Sequence, residues 1–365
     1  MKSTKQNQYK MMCIFMSVLF IIIVLSSTLY GYSPRQPKPL KDAQGNKIAG
    51  SISEKIFVEI NQWKQGMFIS GIDSTKPVLL FLHGGPGMPE YAISRKYPMI
   101  LEKHFTVCWW EQRGAGMSYK SKMKKEDLTF EMLIDDIIEV SKYLKSRFKK
   151  DKIYLMAHSG GTFIGIQAVA KAPELFKAYL TVAQITHQLE SEQAAYRYML
   201  EEYQRRNDKK MLGKFAKYTI DDINTPSYKV FRDKPMHQLG IGTTREMKSV
   251  VKGIFIPVMT NSDYTFKEKM NVWRGKHFTS KKAGLWNELV YINLIEKIKH
   301  IKIPIYFFHG VFDLTVSYPL AYQFFESIDS PHKVFYTFEQ SAHSPFLEEP
   351  EKFEKIIIND IIQNK

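Results

Sequence analysis

A chain of 365 residues, 44% of them hydrophobic, carries enough apolar material for one large core or a core with an insertion, and excludes long disordered stretches. Its 52 basic residues against 37 acidic ones leave a net charge of +15, but the lysines are scattered and form no nucleic-acid motif, so a solvated basic surface is expected. Two cysteines, Cys13 in an apolar stretch and Cys108 in a strand-like run, exclude a disulfide framework, and no His, Cys or Asp cluster has metal-ligand spacing.

Residues 1–10 bear lysines and no acid, and residues 11–32 are apolar apart from Ser17 and the Ser26-Ser27-Thr28 cluster. This pattern predicts a short cytoplasmic head followed by an uncleaved membrane anchor. The expected location is therefore the cell membrane, single-pass, with the rest of the chain outside the cytoplasm. Cleavage of a signal peptide and secretion is the alternative. Residues 33–53, rich in Pro, Lys and Gly, read as a linker.

From residue 54 the chain alternates strands and helices. Ile56–Ile60 and Trp63–Ile72 suit an antiparallel pair, and Val78–Leu82 is a continuous apolar run of the kind found in a central parallel strand. That run leads into His83-Gly84-Gly85-Pro86-Gly87, a turn with exposed amides. A strand over Phe105–Trp110 precedes Glu111-Gln112-Arg113-Gly114-Ala115-Gly116-Met117-Ser118, and a helix is predicted over Lys124–Lys150. The next strand, Lys152–Met156, runs into Ala157-His158-Ser159-Gly160-Gly161 and a further helix. A serine between small residues on a strand-to-helix turn has the form of a nucleophile elbow, because larger side chains would collide there.

After a strand over Ala178–Ala183 the pattern changes. Residues 184–299 read as an inserted helical cap on a core made of residues 54–183 and 300–365. Helices are predicted at Leu189–Lys210, Met247–Phe255 and Lys281–Ile298. The sheet resumes with Ile303–Phe308, which leads to Asp313, and with Lys333–Phe338, which leads to His343. The fold expected is α/β, with a mostly parallel central sheet covered by helices on both faces.

Serine is a weak nucleophile at neutral pH and needs an imidazole to take its proton and a carboxylate to orient that imidazole. Ser159, Asp313 and His343, each after a strand and in that chain order, are the candidates. The amides of Gly160 and of Gly84 or Gly85 are the candidate oxyanion donors. His309 reads as a structural residue of the Asp313 loop.

His83-Gly-Gly-Pro-Gly87, Gln112-Arg-Gly-Ala-Gly-Met-Ser118 and the serine elbow together resemble the α/β-hydrolase superfamily and, within it, the proline iminopeptidase-like serine peptidases. The resemblance covers residues 54–362. Two positions depart from the family pattern: Glu111 stands where Asp is usual, and Gly160 where Trp often follows the nucleophile. The resemblance implies release of an N-terminal residue, typically proline, from a small peptide, with no metal or organic cofactor. It also implies that cap acids bind the substrate's ammonium, for which Glu190, Glu192, Glu201 and Glu202 are in the right region. Trp273 and Trp286 could line a pocket for a proline ring. A carboxylic-ester hydrolase with the same triad is the alternative, and a non-catalytic binding protein on the same scaffold is a third reading.

Overall fold

The computed structural model describes residues 2–31, 36–98 and 100–363. Eight strands form one sheet: β1 (Ile52–Ile60), β2 (Trp63–Gly71), β3 (Val78–Leu82), β4 (Thr106–Trp110), β5 (Ile153–His158), β6 (Phe176–Val182), β7 (Ile305–Gly310) and β8 (Lys333–Phe338). Their order is β1-β2-β4-β3-β5-β6-β7-β8. β2 runs antiparallel to both neighbours, and every pairing from β4 to β8 is parallel. β3, β4, β5 and β7 are buried along their whole length. That burial explains why their sequences are unbroken apolar runs rather than alternating ones.

Helices cover both faces. On one, Phe130–Phe148 and Gly160–Lys171 pack an apolar cluster that includes Leu133, Ile137, Val140, Phe163 and Ile166. On the other, a second cluster joins Phe81, Trp109, Phe346 and Phe353. The first helix begins later than the predicted Lys124, because Thr129 caps it by accepting the amide of Met132, and Lys125–Asp127 form a short 3-10 turn instead.

Between β6 and β7 the described chain is helical and has its own apolar cluster, built on Tyr196, Met199, Phe215 and Tyr228. The predicted Leu189–Lys210 helix is observed as Gln188–Arg205, followed after Asp208 by a separate helix, Lys209–Phe215. The predicted Lys281–Ile298 helix is broken into Leu285–Val290 and Leu294–Lys297. Gly284 adopts a left-handed φ of 80°, and the side chain of Asn293 caps the second piece.

Two N-terminal expectations change. The stretch expected to anchor the chain does form a helix, Lys2–Gly31, but among the described residues no helix is long and apolar enough to cross a membrane. At about 1.5 Å rise per residue, the run between Lys10 and Ser26 reaches roughly 23 Å, short of the ~30 Å of a hydrocarbon core. The single-pass anchor, the extracytoplasmic placement built on it and the membrane as a partner are therefore corrected. The linker expected at 33–53 is partly folded, although residues 33–35 lie outside the described residues. Lys41 pairs with Lys47 around the Asp42 turn, the hydroxyl of Ser53 donates to the carbonyl of Lys38, and the amide of Ser74 donates to the carbonyl of Gly50.

Candidate active site

In a parallel sheet the loops at the carboxyl ends of the strands share one edge, and a crevice opens where the strand order reverses. Here that place is β3, which lies between β4 and β5. The loops after β3, β5, β7 and β8 carry Gly84, Ser159, Asp313 and His343 respectively, so the topology brings the four segments to the same edge.

Ser159 has φ 53° and ψ −124° and precedes the helix Gly160–Lys171. Such a backbone is strained for a residue with a Cβ and is kept only where the surroundings enforce it. The amide of Ser159 donates to the carbonyl of Val182, and its own carbonyl receives the amide and hydroxyl of Thr162. Close approach explains the glycines. A Cβ on Gly161 would lie 2.5 Å from the carbonyl oxygen of Leu82, and one on Gly160 would lie 2.7 Å from that of Gly85.

His343 Nδ1 lies 2.8 Å from Asp313 Oδ2. The other carboxylate oxygen, Oδ1, accepts the amides of Thr315 and Val316, each at 2.9 Å. Burial works against the charge on Asp313, but His343 and His309 outweigh it and hold the carboxyl well below the usual range. Burial also pushes His343 below the ordinary imidazole value, which favours the neutral ring that can accept a proton. His309 lies with its Nε2 3.1 Å from the carbonyl of Val316 and 3.3 Å from Asp313 Oδ2, as a support of the Asp313 loop.

The glycine-rich loop after β3 divides its two candidate donors. The amide of Gly84 donates to Glu90 Oε1 at 2.7 Å, whereas Gly85, at φ 121°, presses against Gly160. Gly84 also lies against the nucleophile turn, where a Cβ on it would meet Ser159 Cβ at 2.9 Å, but its amide is engaged by Glu90. Sequence reading missed Glu90 and His158, which meet at 2.9 Å between Oε2 and Nδ1. The departure Glu111-for-Asp also acquires a role: its carboxyl accepts the amide of Met117 and the hydroxyl of Tyr264, tying the loop after β4 to the helical segment. Burial raises the Glu111 carboxyl to about 8.

The candidate substrate residues separate. Glu192 is buried and held by Arg232 through two contacts of 2.7 Å. Its helix reaches the Asp313 loop, because Gln188 donates to both Glu192 and the carbonyl of Thr315, while Ser191 accepts the amide of Ser317. Glu190 pairs with His187, Glu202 pairs with Arg205 and Arg206, and Glu201 is exposed. At 1.5 Å per residue Glu201 and Glu202 lie roughly 14 Å further along the helix than Glu192. Trp273 packs on Phe255, and the indole of Trp286 donates to Asn224 beside Lys229. A segment that sequence reading passed over does touch the glycine-rich loop: Thr279 and Ser280 both donate to the carbonyl of Pro86. Among the described residues, no group of His, Cys, Asp and Glu has the arrangement of a metal centre.

Residues 77–350 match the alpha/beta hydrolase fold family. The chain is 31% identical over 304 residues to a probable aminopeptidase, YbaC, of Bacillus subtilis, spanning 81% of this chain and 92% of that protein. It is 24% identical over 289 residues to a proline iminopeptidase of Heyndrickxia coagulans, spanning 77% and 88%. Among solved structures it resembles the proline iminopeptidase of Mycobacterium smegmatis, with a TM-score of 0.58, 15% identity, and coverage of 83% of this chain and 96% of that one. The chain therefore belongs to the α/β-hydrolase family, as a hydrolase that resembles the proline iminopeptidases.

Proposed function

We propose that this chain is a serine aminopeptidase that releases N-terminal residues, proline foremost, from small peptides. The observation that carries the reading is the buried His343–Asp313 contact of 2.8 Å at the sheet edge where Ser159 occupies its strained turn. Ser159 Oγ attacks the carbonyl carbon of the first peptide bond while His343 Nε2 takes the hydroxyl proton, and Asp313 stabilises the resulting imidazolium. The amides of Gly160 and Gly85 receive the developing oxyanion. His343 then gives its proton to the leaving amine as the carbon–nitrogen bond breaks. Water, deprotonated by His343, attacks the acyl-enzyme, and the proton returns to Ser159 as the amino acid leaves.

Recognition of a free ammonium needs a carboxylate on the approach to Ser159. Of the four acids, Glu192 has the best support, since its helix is bonded to the Asp313 loop. Arg232 and Gln188 would orient that carboxylate by filling both sites on Oε1 and one on Oε2, leaving one lone pair of Oε2 for the substrate.

The test is hydrolysis of proline p-nitroanilide beside its N-acetylated form and p-nitrophenyl butyrate, with Ser159→Ala as control. Preference for the free amine, lost in the variant, supports the aminopeptidase reading. Turnover of the ester alone moves the assignment to a carboxylic-ester hydrolase with the same residues.

A further inference from the structure

His158, the residue before the candidate nucleophile, takes part in none of these steps. Its side chain is only 6% exposed, and both ring nitrogens face acceptors. Nδ1 lies 2.9 Å from Glu90 Oε2, and Nε2 lies 2.8 Å from the backbone carbonyl of His343. A carbonyl cannot donate, so Nε2 carries a proton. A carboxyl that already accepts the amide of Gly84, set against a more basic imidazole, gives its proton to Nδ1. Both nitrogens then carry hydrogen, and the ring is an imidazolium.

The geometry points to Glu90 and His158 as a positioning ion pair. The His158 imidazolium ties the His343 segment to the Ser159 turn, Glu90 ties the Gly84–Gly85 loop to the same ring, and the His158 charge keeps His343 neutral and able to accept a proton. The inference rests on the roles proposed above for Ser159, Asp313 and His343.

Two side chains thus link the loops after β3, β5 and β8, across sequence separations of 68 and 185 residues. The rings of His158 and His343 are 4.8 Å apart between centroids, and the edge of Phe346 covers His158 at 5.3 Å. The charged groups around the pair act in consistent directions. Burial works against the His158 imidazolium, but Glu90 outweighs it, with the carbonyl of His343 and the charge of Asp313 adding, so His158 is raised. Glu90 is lowered, because His158 and the Gly84 amide outweigh its burial and His83 adds to them. His343 is lowered by burial above all, against the pull of Asp313, and the charges of His158 and His309 lower it further.

The experiment is the pH dependence of Ser159 labelling by a fluorophosphonate, which reports the basicity of His343 without a known substrate. It is run on the wild type, His158→Gln and Glu90→Gln, with ¹⁵N-histidine spectra of the full chain. The wild-type His158 signal is expected to be that of a doubly protonated ring at neutral pH. Removing a positive charge beside His343 raises its pKa, so the labelling midpoint should move up by about one unit in His158→Gln. In Glu90→Gln, which leaves a neutral His158, the shift should be smaller and in the same direction. A neutral His158 signal overturns the ion pair. Reduced labelling with an unmoved midpoint, in variants with native circular dichroism, overturns the effect on His343 and leaves only packing. Failure of the wild type to label at any pH overturns the reading of Ser159 as nucleophile, and the histidine spectra then decide the ion pair separately.

Discussion

His343 Nδ1 and Asp313 Oδ2 stand 2.8 Å apart, and the same carboxylate oxygen is 3.3 Å from His309 Nε2. With Oδ1 taken by the amides of Thr315 and Val316, the carboxylate cannot rotate without losing contacts. One oxygen is therefore presented to His343 in a single orientation.

Asp313→Asn should leave the fold intact and reduce turnover by about 10³–10⁴-fold, with little change in KM, because an amide favours the wrong tautomer of His343. Steady-state kinetics on whichever substrate the wild type turns over checks this. A loss below tenfold would remove Asp313 from the mechanism.

The acid limb of kcat/KM should fall below 6.5, the ordinary imidazole value, because burial lowers the pKa of His343. A profile measured between about pH 4 and 9 reads the midpoint directly. A limb above 6.5 would mean that a different group is the base.

Gly160→Ala should lower turnover by about 10²-fold while binding is largely kept. Its Cβ would meet the carbonyl of Gly85 at 2.7 Å and its backbone nitrogen at 3.1 Å, displacing the loop that carries the second oxyanion donor. The measurement is kcat against KM in the variant, with thermal melting to show that the fold is retained. Unchanged kcat would place the donors elsewhere.

Glu111→Gln should flatten the dependence of stability on pH. The folded carboxyl is raised from 4.5 to about 8, so the folded state holds its proton more tightly than the unfolded chain. That contribution is fully present below the unfolded value and is lost as pH rises through about 8, by at most about 1.4 kcal/mol per pH unit. Urea midpoints at low and high pH should therefore diverge more for the wild type than for the variant. Equal slopes would show that Glu111 stays ionised.

Asp136→Ala should destabilise the fold by about 3–5 kcal/mol, because it strands a buried guanidinium. Asp136 is fully buried and accepts from Arg113 at 2.7 and 2.9 Å, from Gln65 at 2.7 Å and from Asn61 at 2.9 Å. Urea unfolding checks the magnitude.

Much of the fold is legible in the chain. Val78–Leu82, an unbroken apolar run, and Lys333–Phe338, a β-branched and aromatic one, are strands with the predicted bounds, because strand-length runs ended by turn residues are local patterns. Helix limits were less legible. Thr129, Gly284 and Asn293 set them through caps and a left-handed backbone, and Lys281–Ile298 reads as continuous until those are seen. The N-terminal run reads as an anchor only if the Ser26-Ser27-Thr28 cluster is counted within it, and among the described residues no helix is long and apolar enough to cross a membrane.

By itself the sequence determined the alternation of strand and helix, the turn at Ser159 and the succession of Ser159, Asp313 and His343 after separate strands. Periodicity, turn chemistry and chain order are properties of neighbouring residues. Only the tertiary structure decided that Glu90 takes the amide of Gly84, that Arg232 holds Glu192, and that His158 spans Glu90 and the carbonyl of His343. Those partners are 6, 40, 68 and 185 residues apart. The first contact lies within the loop after β3 and depends on how that loop folds back, and the other three join separate loops or helices through the assembly of the sheet edge and the helices, which no local pattern encodes.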